Sequence, residues 1–294
     1  MTGHLNLAHV RSLEILIEEG SFSKAAARLH VTAPAMTQQI KRLEGFVGYG
    51  LVERGQPVRL TVRGQRFMLH AKEALDASGR ALGSHIQATL RIGFINGYPR
   101  GMDEEFLVEL RRSNPELLVD FVELGWGDQT KRLLTGDIDA SLGRPPFDHE
   151  EAIERITVYR EPRVVAVPAG SNLAVRGSLI LADIEGCAVV RARGAAEVWT
   201  KYWVVDPRPS GVPVNYGSWA RTMEEALTAV AMSNNIMITA ESVAERYKHP
   251  GVTYLPLDDA SYCQVDLCTR KSDRRAVVRA LRLSAEGAAS WREN

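Results

Sequence analysis

Residues 33 to 41 contain polar side chains that suit the recognition of DNA. Thr37 and Gln38 carry groups that can hydrogen-bond to base edges, and Lys41 carries a charge that suits a phosphate. At helical spacing these residues share one face, which consists of Ala33, Pro34, Thr37, Gln38 and Lys41. The spacing alone leaves two interpretations open, a DNA-recognition helix and a generic helix pair within a core.

An apolar face on the same segment indicates how the polar face would be held. Its members recur at steps of four, three and four residues: Met36, Ile40, Leu43 and Val47. Thr32 is a suitable N-cap, and Pro34 falls in the first turn, where its missing amide hydrogen breaks no intrahelical bond. The sequence therefore predicts a helix from Thr32 through Val47 with one buried and one free side.

Two shorter patterns precede this helix. A first helix is predicted from Asn6 to Glu19, because apolar residues recur there at helical spacing and Gly20 follows. Ser21 or Ser23 can cap a second helix, whose alanines permit a close crossing. Together with the third helix this is the arrangement of a helix-turn-helix, which fits the major groove of DNA.

The residues after the third helix predict a β wing and a long helix. Leu51 to Thr61 contains two short strands around a Gly-Gln-Pro turn, with Arg54 and Arg59 available to phosphates. A helix from Val62 to about His85 follows, with apolar residues seven positions apart, as in a coiled-coil seam. We expect this seam to form a homodimer through Phe67, Met68, Ala71, Leu75 and Leu82.

Two stretches of this N-terminal segment also carry a family resemblance. They are GSFSKAAARLHVTAPAMTQQIKRLE at residues 20–44 and LVERGQPVRLTVRG at residues 51–64. Residues 5 to 66 closely resemble the LysR-type transcriptional regulator family, which implies that DNA is the partner. The DNA-binding residues implied by the resemblance and the spacing are Ser23, Thr32, Ala33, Pro34, Thr37, Gln38, Lys41, Arg54 and Arg59.

Three positions depart from the family's usual residues. Ala33 stands where Gln is frequent, Gln38 where Arg is frequent, and Val52 where Phe is usual. The first two changes remove hydrogen-bonding or charged groups, and each good bidentate base contact is worth about 1–3 kcal/mol of discrimination. The family's preferred half-site is therefore not expected to carry over unchanged.

From residue 88 onward the pattern alternates between strands and helices, which predicts an α/β domain on a mostly parallel sheet. In such folds a small ligand lies outside the carboxyl ends of the strands. The candidate effector-binding residues follow strands or, in two cases, precede one: Asn96, Gly97, Tyr98, Trp126, Asp128, Arg144, Arg193, Ser218, Trp219, Ser233 and Asn234.

The resemblance extends in looser form to this region and implies a two-lobed effector domain like the periplasmic binding proteins. The predicted fold is thus α/β with an N-terminal all-α winged helix-turn-helix. The expected ranges are 1–61 for DNA binding, 62–87 for the linker helix, 88–161 with 267–294 for lobe I, and 162–266 for lobe II.

Two arginines in the effector domain suggest a ligand class. Arg144 and Arg193 are candidate anion clamps, because a planar guanidinium holds a carboxylate by two hydrogen bonds. The same side chains could instead pair with Asp139 or Glu197. An anion is therefore one candidate class of effector, and its identity is open.

Other functional classes find little support in the sequence. It contains no GxSxG, Walker or HExxH motif, and its seven histidines and three cysteines are scattered, so we expect no catalysis, metal site or cofactor. No apolar run reaches the roughly 18 residues of a membrane helix, which favours a cytoplasmic location without membrane contact. Residues 1–87 hold 11 Lys/Arg against 7 Asp/Glu, a balance of +4 within a chain of zero net charge, which favours a polyanionic partner.

These observations favour a homo-oligomeric DNA-binding transcription regulator controlled by a small molecule between two lobes. The family resemblance further implies tetramers, with the second contact between effector domains. The alternative is a small-molecule-binding or enzymatic α/β protein whose N-terminal helical module does not bind DNA.

Overall fold

The computed structural model describes residues 4–81, 89–95 and 102–290, which form two compact units divided between residues 88 and 89. The first unit is a three-helix arrangement followed by a two-stranded antiparallel wing and a long helix. Its elements are α1 (Leu7–Glu19), α2 (Phe22–Arg28), α3 (Ala33–Val47), β1 (Val52–Glu53), β2 (Arg59–Leu60) and α4 (Val62–Ala81). The predicted winged helix-turn-helix is confirmed; the expected continuation of α4 to His85 lies outside the described residues.

Local capping fixes where these helices begin and end. Thr32 accepts a hydrogen bond from the Ala35 amide at 3.3 Å, and Thr61 accepts one from the Gly64 amide at 2.9 Å. Gly20 ends α1 in the left-handed region at φ 62°, a conformation that glycine adopts without a steric penalty. These short-range signals are visible in the sequence, which explains why the helix bounds could be predicted.

The core of the first unit is built from the apolar faces of α1 and α3. Its fully or almost fully buried members include Val10, Leu13, Leu16, Met36, Ile40, Leu43 and Leu51. Helix α4 closes this core against α1. Gly64 permits the approach, because a Cβ at this position would lie 2.1 Å from the carbonyl oxygen of Leu51.

The second unit begins with a set of strands and helices that belongs to lobe I. In chain order its elements are β3 (Thr89–Phe94), α5 (Met102–Ser113), β4 (Leu118–Glu123), α6 (Lys131–Leu134), β5 (Ala140–Gly143) and β6 (Ile153–Glu161). Residues 96–101, with the candidates Asn96, Gly97 and Tyr98, lie outside the described residues.

Lobe II follows, and the chain then returns to lobe I. The elements of lobe II are β7 (Arg163–Pro168), β8 (Ala188–Ala192), α7 (Glu197–Val204), β9 (Tyr216–Ala220), α8 (Met223–Ser233), β10 (Asn235–Ala240), α9 (Glu241–Arg246) and β11 (Val252–Pro256). The returning elements are β12 (Cys263–Arg270) and α10 (Ala276–Ser290).

Each lobe contains one five-stranded sheet. The strand orders are β4-β3-β5-β12-β6 in lobe I and β11-β7-β10-β8-β9 in lobe II. In each sheet two of the four pairings are parallel and two are antiparallel. The expectation of mostly parallel sheets was therefore too strong, because β12 runs antiparallel to both its neighbours in lobe I, and β7 does the same in lobe II.

The two lobes are joined at the ends of β6 and β12. Glu161, the last residue of β6, pairs in register with Cys263, the first of β12. The chain therefore returns to lobe I at Cys263, a few residues before the predicted start at 267. A hydrophobic cluster at the facing edges of the lobes contains side chains from both, including Trp126, Leu133, Trp199 and Met237.

Candidate nucleic-acid interface and interlobe cavity

Helix α3 has one side in the core and one side free. Met36 and Ile40 are 0% exposed, whereas Gln38 and Lys41 on the other side are exposed. Thr37 is partly buried, and its hydroxyl donates to the carbonyl oxygen of Ala33 at 3.0 Å. The other predicted DNA-binding residues are all exposed: Ser23, Thr32, Ala33, Pro34, Arg54 and Arg59.

Two side-chain contacts that the sequence did not reveal fix α3 in this orientation. Ser12 on α1 donates a hydrogen bond to the side chain of Gln39, next to the exposed Gln38. At the far end of the helix, the Glu44 carboxylate accepts from the amides of Leu51 at 2.8 Å and Val52 at 3.4 Å. The first contact sets the rotation of α3, and the second attaches the wing to it.

The predicted dimerisation residues divide between core and surface. Met68 and Ala71 are 5% and 3% exposed and belong to the core of their own unit, so little of either side chain is left for a partner. Phe67 and Leu75 are partly buried at the edge of the same core. Leu82 lies outside the described residues.

A cavity of about 60 Å³ lies between the two lobes. Lobe I contributes Ile95, Trp126 and Arg144 to its wall. The lobe II residues of the wall are Val190, Ala192, Trp199, Thr200, Trp203, Val204, Met223, Met237, Ile238, Thr239 and Val243. Strand ends and α7 thus form a mostly apolar site where the fold class places small ligands.

Three indole rings dominate this cavity. Trp199 lies 6.4 Å from Trp126 across the cleft, with 24° between the ring planes, and 5.5 Å from Trp203 on its own helix. The Trp199 Nε1–H donates to the carbonyl oxygen of Arg144 at 2.9 Å, which links the two lobes. Trp199 and Trp203 stand four residues apart, a helical spacing in the segment WTKYWV that the sequence-based prediction missed.

Arg144 is held by an internal counter-ion. Its guanidinium donates to Glu161 at 2.6 Å and to the Ser242 hydroxyl at 3.0 Å, and the Arg144 and Glu161 side chains are 4% and 1% exposed. The other oxygen of Glu161 accepts from the Ser242 amide at 2.7 Å. Arg144 does line the cavity as predicted, but its role as a free anion clamp needs correction, because Glu161 already supplies the carboxylate.

The two acidic partners considered for Arg144 and Arg193 are engaged elsewhere. Asp139 pairs with Arg275 at 2.5 Å. Glu197 pairs with Lys201 at 2.7 Å, and this hydrogen bond lowers the pKa of the exposed Glu197 carboxyl. Arg193 is exposed, 5.8 Å from the centre of the Trp219 ring.

The remaining candidate effector residues that the structure describes do not line the cavity. Ser218 exchanges hydrogen bonds with Asn235, Trp219 is 48% exposed, and Asp128 is partly buried in the turn after Trp126. Ser233 and Asn234 precede β10, at the sheet edge where β8 and β10 begin. Their selection was wrong for this cavity, because it forms at the opposite, carboxyl ends of those strands.

A buried arginine attaches α7 to the connection between the lobes. Arg163, 1% exposed and next to the crossing at Pro162, donates to the carbonyl oxygens of Tyr202 and Trp203 at 3.0 and 3.1 Å. Its Nε donates to the Ser261 carbonyl at 3.0 Å, in the segment before β12. A cation at the carboxyl end of a helix is favoured by the unpaired carbonyls there. The Arg163 side chain therefore connects the end of α7 to both segments that cross between the lobes.

Comparison with known proteins decides the family. Residues 7–65 match the family model described as the bacterial regulatory helix-turn-helix protein of the lysR family, and residues 83–288 match the LysR substrate binding domain. The chain belongs to the LysR family. The family's helix-turn-helix match contains α1 to β2, and its substrate-binding match contains both lobes.

Named LysR-family relatives extend over nearly the whole chain. The transcriptional regulator CatR of Pseudomonas putida is 28% identical, covering 97% of this chain and 100% of its own. Full-length OxyR from Pseudomonas aeruginosa, a point variant, superposes with TM-score 0.68 at 23% identity, covering 96% and 98% of the two chains. Full-length CbnR complexed with its target DNA has TM-score 0.63 at 20% identity, covering 97% and 99%.

Other reactive groups of this LysR-family chain are buried or dispersed. Burial raises the pKa of the Cys263 thiol to about 11 and that of Cys268 well above its ordinary value, so both stay protonated near neutral pH. Within residues 4–81, 89–95 and 102–290, no three His, Cys, Asp or Glu side chains group as metal ligands. No helix in the same part of the chain could cross a membrane.

Proposed function

We propose that this LysR-family regulator recognises double-stranded DNA through the exposed face of α3 and the wing. The observation that carries the proposal is the division of α3: Met36 and Ile40 are fully buried, whereas Gln38 and Lys41 have no role in packing. Gln38 and Thr37 would contact base edges, and Lys41, Arg54 and Arg59 would contact phosphates.

A small molecule in the interlobe cavity would control the promoter contacts. The ligand must bind one arrangement of the lobes better than another, and a coupling of about 1–3 kcal/mol is typical. Arg163 and the Arg144–Glu161 pair join the wall of the cavity to the crossing segments. A displacement of the cavity wall by a ligand would therefore also displace the segments that join the two lobes. We infer that the chain itself performs no catalysis.

A homo-oligomer would supply paired recognition helices, because one such helix contacts too few bases for a specific site. Exposed apolar side chains occur on both lobes and suit a contact between effector domains in addition to one through α4. They are Val108, Leu118 and Phe121 on lobe I, and Trp219 and Met232 on lobe II.

The test measures binding to the DNA upstream of the chain's own coding region by fluorescence anisotropy at several salt concentrations. We expect a steep loss of affinity as salt rises, because phosphate contacts release counterions. Lys41→Ala combined with Arg54→Ala should weaken binding and lower the salt slope by roughly one per lost contact. Lys248→Ala with Lys271→Ala removes two exposed cations from the second unit and serves as the control.

Two results would reject the proposal. One is equal binding by the wild type and the Lys41 and Arg54 variant, which would mean that α3 and the wing do not meet DNA. The other is an absence of salt dependence, which would favour a helical module with a protein partner over a DNA-binding one.

A further inference from the structure

The walls of the interlobe cavity contain three tryptophan rings and no charged side chain that lacks a partner among the described residues. Among the described wall residues the ionisable side chain is Arg144, and its guanidinium is occupied by Glu161 and Ser242. A ligand carboxylate at this end would have to displace Glu161 and leave that buried charge without its partner, which is costly. Recognition by these walls therefore depends on shape, on aromatic contact and on neutral polar groups such as the hydroxyls of Thr200 and Thr239, which also line the cavity.

Trp199 is placed to make that contact from the wall of the cavity. Its ring neighbours those of Trp126 and Trp203, at centroid distances of 6.4 and 5.5 Å. Contact between aromatic rings contributes more binding free energy than burial of the same area alone, because the positive edge of one ring is attracted to the negative face of another. A saturated ring of the same size lacks this gain.

Trp203 adds a polar requirement. The side chain is 6% exposed, and its Nε1 is buried without a hydrogen-bond partner among the described residues. A buried donor that lacks an acceptor is destabilising. The atom has almost no exposed surface in this structure, so an acceptor on a ligand would reach it only after the cavity opens.

In this arrangement of the lobes the cavity is small for a benzene-sized ring. Its volume is about 60 Å³, whereas a dry cavity that holds benzene has a volume of roughly 150 Å³. The contacts that would yield if the cavity opens are the Trp199–Arg144 hydrogen bond and the close approach of Gly127 to Gly194. A Cβ on Gly127 would lie 1.9 Å from the carbonyl oxygen of Gly194, so these two loops meet directly.

We propose that the effector is a flat aromatic compound with a hydrogen-bond acceptor, that its ring stacks on Trp199, and that its entry breaks the Trp199–Arg144 contact between the lobes. This inference rests on the proposed function and names the ligand class of the same cavity. Trp199 is accordingly the residue that determines specificity for an aromatic ring.

The test compares matched aromatic and saturated probes on the full chain. The two pairs are benzamide with cyclohexanecarboxamide, and benzoate with cyclohexanecarboxylate, so that each pair keeps its polar group. Binding is followed by tryptophan fluorescence, since three of the five tryptophans line the cavity, and by calorimetry. We expect the aromatic member of each pair to bind roughly tenfold more tightly, a difference of about 1.4 kcal/mol.

Variants of Trp199 separate ring contact from general damage. Trp199→Leu should abolish the aromatic preference, and Trp199→Phe should restore it while lacking the hydrogen bond to Arg144. Trp219→Leu is the matched control, since Trp219 is half-exposed and does not line the cavity. Thermal unfolding of each variant shows whether the second unit remains folded.

Several outcomes would overturn the inference. These are equal binding of aromatic and saturated probes to the wild type, no binding of either aromatic probe, or an aromatic preference that persists in Trp199→Leu. The DNA-binding assay is scored separately. Salt-dependent DNA binding without aromatic preference refutes this inference alone, whereas aromatic preference without DNA binding refutes the proposed function of the N-terminal unit.

Discussion

The two units of this chain form their candidate sites in different ways. The candidate DNA-binding face lies on the outside of α3, where Ala33, Pro34, Gln38 and Lys41 reach solvent because the opposite face of the same helix is buried. The cavity is instead assembled from distant segments, with Trp126 of lobe I facing Trp199 of lobe II. A site on one helix can be located from its periodicity, whereas a site between lobes depends on which segments the fold brings together.

The largest predicted effect concerns the ion pair behind the cavity. Glu161→Ala would leave the guanidinium of Arg144 buried without its counter-ion and the Ser242 amide without its acceptor. Removing one partner of a buried pair costs about 3–5 kcal/mol. Urea denaturation should show this loss in the second unit, while DNA binding by the first unit is retained. The control is Glu151→Ala, whose carboxylate is 79% exposed; similar losses in both variants would contradict the assigned role of Glu161.

The corresponding substitution in the first unit is Ile40→Ala. Ile40 is 0% exposed within the core beneath the recognition face, and truncation of a buried isoleucine typically costs about 2–5 kcal/mol. DNA binding should be lost in proportion to unfolding of this unit, and benzamide should still quench the cavity tryptophans. If probe binding falls together with DNA binding, the two units do not behave as separate stability units.

The same contrast explains what the sequence could predict. Thr32, Gly20 and the apolar steps from Met36 to Leu43 act within one or two helical turns, so α3 and its free face follow from short-range rules. The wing was also predictable, because its turn residues lie between two short strand-like runs. Family resemblance added the role of this helix.

The cavity was predicted only in part. Trp126 and Arg144 follow strands β4 and β5 and were found by that rule, but the pairing of Arg144 with Glu161 depends on a contact 17 positions along the chain. Trp199 and Trp203 lie on α7, which follows β8 by a short loop and was not predicted as a helix. A search for aromatic residues four positions apart after each strand would have identified them.

A smaller effect on DNA binding is expected from substitutions of Gln38 and Lys41, which are predicted to contact a base edge and a phosphate respectively. Gln38→Ala should remove discrimination of about 1–3 kcal/mol at one base pair, since a glutamine can make a bidentate base contact. Lys41→Ala should weaken binding to all sequences alike and reduce the salt slope by roughly one. Both side chains are exposed, so neither change should alter unfolding.

Binding to a set of single-base operator variants measures this difference. The prediction fails if Lys41→Ala changes the ranking of sequences, or if Gln38→Ala leaves that ranking intact. Ser23→Ala is a useful comparison, because its exposed hydroxyl lies on α2 and would contact only a phosphate.

The smallest predicted effect is a pH dependence in the strand that returns to lobe I. Asp266 is 1% exposed on β12, and its carboxylate accepts hydrogen bonds from Gln264 at 3.0 and 3.2 Å. Burial raises the pKa of Asp266 above its ordinary value of 3.8, although Thr157, Gln264 and Arg155 act in the opposite direction. The folded chain therefore holds the proton to higher pH than the unfolded chain does.

The sign of the effect follows from that difference. As pH rises from 3.8 through the raised folded pKa, the unfolded state loses its proton first, so the free energy of unfolding falls. Asp266→Asn cannot ionise and should show less of this fall, by an amount smaller than the effects of Glu161→Ala and Ile40→Ala. Urea denaturation of wild type and variant at several pH values upward from 3.8 provides the measurement. A wild-type stability that rises relative to the variant over this window would mean that hydrogen bonds to the Asp266 carboxylate outweigh its burial.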